Sequence, residues 1–159
     1  METKRFYQSP IGLLCIREEN GKITNLNLYQ EETDNICEQR SDSTLLNEAC
    51  RQLDEYFQGK RRQFDLPIGC EGTPFQQRVW NELQKIPYGE TRSYEDIAAA
   101  VGNSKAQRAV GQANNRNPIM IMVPCHRVIH KNGDISGYAC GIEAKRYLLE
   151  LEAGVSSAV

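Results

Sequence analysis

The sequence predicts an α/β protein in two parts, a small N-terminal α/β lobe followed by a mainly helical domain built round a helix-turn-helix. Three observations carry that reading. Asn20-Gly21 is a strong hairpin signal, and Lys22-Ile23-Thr24-Asn25-Leu26-Asn27-Leu28 alternates apolar and polar behind it. Thr73-Pro74 combines an N-cap residue with proline at the first helical position. Two short helical stretches flank Gly102, as in a helix-turn-helix.

The elements follow in order. Arg5–Gln8 and Leu13–Arg17 read as strands around the turn Ser9-Pro10-Ile11-Gly12, and residues 22–28 add a third. Ser43 or Thr44 caps a helix to Phe57, with Leu45, Leu46, Ala49, Leu53, Tyr56 and Phe57 at helical spacing and Gly59 at its stop. Gln63–Pro67 is expected as an edge strand, and 1–70 as the first domain, with the boundary between Gly69 and Gly72. The second domain, 73–154, opens with a helix whose apolar stripe is Phe75, Val79, Trp80, Leu83 and Ile86, stopped by Pro87. Ser93 with Asp96 resembles a capping box. It starts a helix over residues 94–101, followed by a second from Ser104 to Asn114. The run Ile119–Val123 is continuous and apolar, which predicts a short buried strand ended by Pro124. A last helix spans residues 142–153, and residues 155–159 are expected to fray.

Composition sets bounds. The 159 residues carry a net charge of −2 and six cysteines, none in Cys-x-x-Cys spacing, so free thiols in a reducing compartment are expected rather than disulfides. The scattered thiols also argue against a structural zinc site. No apolar stretch approaches the ~20 residues of a membrane span. Charge is uneven: residues 1–72 hold 9 Lys/Arg and 13 Asp/Glu, residues 73–159 hold 10 and 8. Between 101 and 131 there are five basic residues and no acidic one, a surface able to bind phosphates in an acidic chain.

Pro124-Cys125-His126-Arg127 is the most reactive sequence in the chain. A thiolate is the nucleophilic form of cysteine, and an imidazole is the usual acceptor of its proton. About ten residues upstream lies the candidate recognition helix, rich in Ala106, Ala109, Gly111 and Ala113 around one long cation, Arg108. Small side chains permit close approach to a minor groove, which carries little sequence information but can be wedged open.

On these residues the chain resembles the O6-alkylguanine-DNA alkyltransferases. The resemblance runs through residues 73–153 and rests on Phe75-Gln76-Gln77-Arg78-Val79-Trp80, Pro87-Tyr88-Gly89-Glu90-Thr91, Ser93-Tyr94, Arg108-Ala109-Val110-Gly111, Asn117-Pro118, Pro124-Cys125-His126-Arg127-Val128, Gly137-Tyr138 and Glu152. It implies a ribonuclease-H-like first lobe and a winged helix-turn-helix-like second domain. It further implies stoichiometric, irreversible transfer of an alkyl group, mainly methyl, from O6-alkylguanine and from O4-methylthymine in double-stranded DNA to Cys125. Neither cofactor nor metal is implied, and the protein would act as a cytoplasmic monomer from the minor groove. Catalytic residues would be Cys125, His126 (through a water), Glu152 as orienting carboxylate, Tyr94 as proton donor to the leaving base and Asn117 as a brace. Arg108 would fill the space of the flipped nucleotide. Tyr138, Ala139, Met120 and Val128 would line the pocket, with Lys105, Ala106, Gln107, Ala113, Asn114 and Arg127 toward the DNA. His130 reads as an exposed loop residue.

The chain departs from the family pattern after Gly137-Tyr138, where Ala139-Cys140 replaces the usual Ser-Gly, and at Met120, where a small residue or proline is common. Together these are expected to narrow the pocket against bulky adducts. The competing readings are a non-catalytic lesion-binding protein, a DNA-binding regulator and a cysteine hydrolase. The first lacks the nucleophile that Cys125 provides here, and the last is disfavoured because adjacent Cys and His are awkward for a hydrolytic dyad.

Overall fold

The computed structural model describes residues 2–29, 43–135, 137–138 and 141–154. The expectations for Cys37, Ala139, Cys140 and the tail at 155–159 therefore lie outside the described residues. The chain divides into two compact units, Met1–Cys70 and Glu71–Val159.

In the first unit, β1 (Glu2–Ser9), β2 (Gly12–Glu19) and β3 (Lys22–Leu28) form an antiparallel meander in the order β1-β2-β3. The β2–β3 turn places Asn20 at φ 54° and Gly21 at φ 76°, the double left-handed conformation that a two-residue hairpin of this twist requires. Helix α1 (Thr44–Phe57) starts at Ser43, whose hydroxyl accepts from Leu46 N at 3.1 Å. Leu46, Ala49, Leu53 and Tyr56 share one face of α1 and are fully buried, as are Leu14, Ile16, Ile23 and Leu26 of the sheet. The expected edge strand at 63–67 does not form. Buried Gln52 of α1 takes both backbone groups of Asp65 instead, accepting from its N at 2.9 Å and donating to its O at 3.2 Å. Only Ile68 joins the sheet, in a single parallel bridge to Ile23. A side-chain amide has replaced the strand neighbour, a substitution that period-2 reading cannot detect.

The second unit starts as its caps predict. Thr73 and Gln76 form a complete capping box for α2 (Pro74–Gln84). Ser93 and Asp96 form another for α3 (Tyr94–Ala100). Gly102 at φ 91° turns the chain toward α4 (Gln107–Asn115), three residues later in its start than the sequence suggested. Trp80 of α2 donates its indole N–H to Ala113 O of α4 at 2.9 Å, tying those helices together through a buried bond. Two-residue strands β4 (Arg92–Ser93) and β5 (Val128–Ile129) pair in parallel, and α5 (Ile142–Glu152) closes the chain. Among the described residues, no helix is long and apolar enough to cross a membrane.

The strand expected at Ile119–Val123 is absent. The segment is a tight buried loop, with Met122 N bonded to Met120 O at 2.8 Å and Val123 N to Ile119 O at 3.0 Å. Ile121 sits at φ 72°, the centre of a positive-φ γ-turn, which is a strained position for a β-branched residue. A continuous apolar run signals burial but not extension. Here Pro118 and Pro124 withhold N–H groups on either side, and the loop satisfies its own polar groups locally.

Thr73→Ala removes one half of an exposed capping box. We expect a loss of about 1 kcal/mol in urea unfolding, with Thr73→Ser close to the parent protein.

Candidate active site

The site is built by the loop just described. Asn117, two residues beyond α4, donates to Val123 O at 2.7 Å and accepts from Ile119 N at 3.0 Å, so one amide clamps both ends of the loop. Pro124 (φ −80°, ψ 66°) then makes an inverse γ-turn, with Cys125 N bonded to Val123 O at 2.8 Å. This turn delivers Cys125, His126 and Arg127 into a single 3-10 turn, all three buried.

Glu152, near the end of α5, meets two of them. Its Oε2 lies 2.7 Å from His126 Nε2 and 2.9 Å from Arg127 Nη2, and its Oε1 accepts from Arg127 Nε at 2.7 Å. The third guanidinium nitrogen donates to Ile86 O at 2.7 Å. Burial alone would raise the Glu152 carboxyl, but the hydrogen bonds from His126 and Arg127 outweigh it and bring the group down to about 2. The carboxylate is therefore ionised. His126 is pushed the other way, well below its ordinary value by burial, against the pull of Glu152. A neutral imidazole whose Nε2 faces an ionised carboxylate carries its proton on Nε2. That leaves the Nδ1 lone pair as the base, and Nδ1 is buried without a protein partner among the described residues.

The thiol is 4% exposed, with Sγ 3.2 Å from the Tyr138 hydroxyl. Burial raises it above the ordinary thiol value, while Tyr138, Asn117 and the charge of Lys145 oppose that rise. Cys125 thus rests as a thiol whose thiolate has three stabilising neighbours waiting. Tyr94 is half-buried at the start of α3. Its hydroxyl is also raised, first by burial and then by Cys125, with Asn114 opposing.

Lys145 went unrecognised in the sequence. It is fully buried, donates to Val128 O at 2.6 Å, and lies 5.3 Å from the Tyr138 ring centre and 6.0 Å from that of Tyr94. Desolvation lowers it to about 8. The signal was present: Lys145, Leu148 and Glu152 stand at i, i+3 and i+7, one inward stripe of α5.

Several expected DNA contacts are placed elsewhere. Arg127 is 7% exposed and its guanidinium is fully engaged by Glu152 and Ile86, so it braces Glu152 rather than facing outward. Ala113 and Asn114 lie on the buried face of α4, the first accepting from Trp80 and the second donating to Cys125 O at 3.3 Å. Helical phase explains both: Val110, Ala113 and Asn114 point inward together. Lys105, Gln107 and Arg108 are exposed, and Ala106 half-exposed. A cleft of about 370 Å³ is lined by Tyr94, Gln107, Arg108, Gly111, His130 and Gly137, among others. Met120 and Val128 are buried and do not line it. No group of three or more His, Cys, Asp or Glu able to hold a metal occurs among the described residues.

Comparison with known proteins bears on this geometry. Residues 74–154 match the family model for the 6-O-methylguanine DNA methyltransferase DNA binding domain, and residues 3–69 match that for its ribonuclease-like domain. The chain belongs to the 6-O-methylguanine DNA methyltransferase family. Among the relatives of this family member is the constitutive methylated-DNA–protein-cysteine methyltransferase of Bacillus subtilis, 52% identical over 151 residues, covering 91% of this chain and 92% of the relative. A methylated-DNA–protein-cysteine methyltransferase of Methanosarcina acetivorans is 49% identical over 148 residues, covering 92% and 95%. The solved O6-methylguanine methyltransferase of Mycobacterium tuberculosis superposes with a TM-score of 0.86 at 45% identity, covering 100% of this chain and 97% of that one. A structure of the M. tuberculosis protein in complex with DNA matches at the same TM-score of 0.86, covering 98% and 95%.

The buried pair carries a pH signature. Below pH 6.5, the ordinary histidine value, the unfolded chain takes up a proton that native His126 refuses. Stability therefore falls as pH falls, at up to about 1.4 kcal/mol per pH unit. Glu152 adds a further loss between 4.5 and about 2, as its depressed native value is crossed. Urea titrations between pH 7 and 5.5 should show the first slope, and His126→Gln should flatten it.

Proposed function

We propose that this protein repairs DNA by direct reversal, moving the methyl group of O6-methylguanine in duplex DNA onto Cys125. The single observation that carries this reading is the buried His126–Glu152 contact at 2.7 Å beside a buried thiol, with the imidazole base atom left unpartnered. A water between Nδ1 and Sγ suits that arrangement, because a buried nitrogen without a partner is costly. Family membership and the DNA-bound relative support DNA as the partner.

The steps follow from the charge states. Sγ gives its proton through the water to His126 Nδ1, and Glu152 stabilises the imidazolium as in other nucleophile–base–acid sets. Arg127 keeps Glu152 ionised, so the proton stays on the imidazole. Lys145 and the Tyr138 hydroxyl stabilise the thiolate. Sulfur attacks the methyl carbon, the S–C bond forms, and the C–O6 bond breaks with its electron pair going to guanine. Tyr94, whose hydroxyl is held protonated, gives a proton to the departing ring and recovers it from solvent; this neutralises charge as it develops. The thioether on Cys125 has no leaving path in this site, so each molecule acts once.

A base inside a duplex must be flipped out to reach a buried thiol, at a few kcal/mol. Arg108 would enter the stack and hold the vacated position; its exposure on the rim of the cleft that Tyr94 also lines supports this reading. Lys105 and Gln107, exposed at the start of α4, meet the backbone across the minor groove. O4-methylthymine presents the same methyl–oxygen bond and is read as a second substrate. A reducing cytoplasm keeps the nucleophile as a thiol, and one unit of this fold suffices as a monomer on one lesion.

Intact mass after incubation with an O6-methylguanine duplex tests the reading. One added methyl on Cys125 is expected, and none for Cys125→Ala; transfer to another cysteine defeats it. Arg108→Ala should slow duplex repair by about 10–100-fold, the cost of losing part of the flipping energy. Its reaction with free O6-methylguanine base should stay within about twofold.

A further inference from the structure

The β4–β5 ladder sets Ser93 opposite Ile129, which brings the next residues, Tyr94 and His130, side by side. Their ring centres are 4.9 Å apart, with the planes inclined by 44°. His130 is exposed on the rim of the cleft that Tyr94 and Arg108 also line. The loop carrying it is fixed: His130 N donates to Asp134 O at 2.9 Å, Gly133 N donates to His130 O at 2.8 Å, and Lys131 pairs with Glu95 of α3 at 3.2 Å. No hydrogen bond to another described residue engages the imidazole nitrogens.

We propose that His130 is a DNA-positioning residue of this chain, its ring bracing Tyr94 from the solvent side and an imidazole N–H donating to a backbone phosphate across the cleft. This rests on the proposed repair function. An imidazole always carries at least one N–H donor, which a phosphate oxygen accepts, and Arg108 on the same cleft adds a guanidinium beside it. The charged and titratable groups around it are Tyr94 and Glu95 on α3, Arg108 on α4, Lys131 and Asp134 on its own loop, and Lys145 of α5 beyond the Tyr94 ring. Glu95 is paired with Lys131, and among the described residues lining the cleft there is no carboxylate to compete with a phosphate.

The test measures affinity for an O6-methylguanine duplex in a Cys125→Ala background. His130→Ala in that background should lose about fivefold of the affinity, and His130→Gln, which keeps an N–H donor, should stay within about twofold of the parent. With Cys125 intact, His130→Ala should lose several-fold of the duplex transfer rate, and His130→Phe, which restores a ring against Tyr94 but no donor, should recover only part of it. The proposal falls if His130→Ala binds the duplex as tightly as the parent protein, or if it repairs duplex at the parent rate. A parent protein that takes no methyl from the duplex at any pH would instead sink the repair function itself.

Discussion

The Glu152 carboxylate is the constraint on which the catalytic unit depends. It is an ionised group with almost no exposure, and a buried charge is tolerated only when it is paired and hydrogen-bonded. Arg127 supplies two donors and His126 a third, and both residues lie in the 3-10 turn that also carries Cys125. The end of α5 and the reactive turn therefore cannot separate without leaving a charge uncompensated in the interior. Arg127 extends the tie to the end of α2 through Ile86 O. One carboxylate thus fixes the imidazole tautomer, aims its free nitrogen, and joins three segments distant in sequence.

Around that anchor the site is assembled from backbone that is neither helix nor strand. The loop from Ile119 to Val123 folds back on itself through the γ-turn at Ile121, held by the amide of Asn117. A positive φ at a β-branched residue persists only where the surroundings over-determine it. Here the surroundings are fully buried neighbours on every side, including Ile119, Met120 and Val123. The inverse γ-turn at Pro124 then turns the chain so that thiol, imidazole and guanidinium point into one buried space. Lys145, whose charge favours the thiolate of Cys125, is itself desolvated. It acts as a charge near the thiolate and as a donor to Val128 O rather than as a surface group.

The pKa directions form a consistent set. Burial holds Cys125 and Tyr94 protonated and His126 unprotonated, while the ion pair with Arg127 keeps Glu152 charged. These are the forms that the acid, the base and the nucleophile of the proposed mechanism need at neutral pH. A resting thiol is also protected against oxidation, which suits the single-use role proposed for Cys125.

The sequence by itself determined the elements whose information is local. The Asn20-Gly21 hairpin, the capping boxes at Thr73 and Ser93, the Gly102 turn and the stripe of α5 all depend on residues within a few positions of one another. The ordered motifs from Phe75 to Glu152 also singled out Cys125, His126 and Glu152, the last two of which meet at 2.7 Å in the fold. Tertiary structure decided the rest. Arg127, Ala113 and Asn114 were expected toward DNA, and only the packing of α4 and α5 shows which side of each residue is interior. The apolar run at 119–123 signalled burial, but whether buried chain extends or coils depends on who satisfies its backbone. In this protein that partner is Asn117, just as Gln52 replaces an expected strand at 63–67. Lys145 and His130 acquire meaning only from what they approach, because a side chain's charge state and contacts are set by neighbours that linear spacing does not bring together.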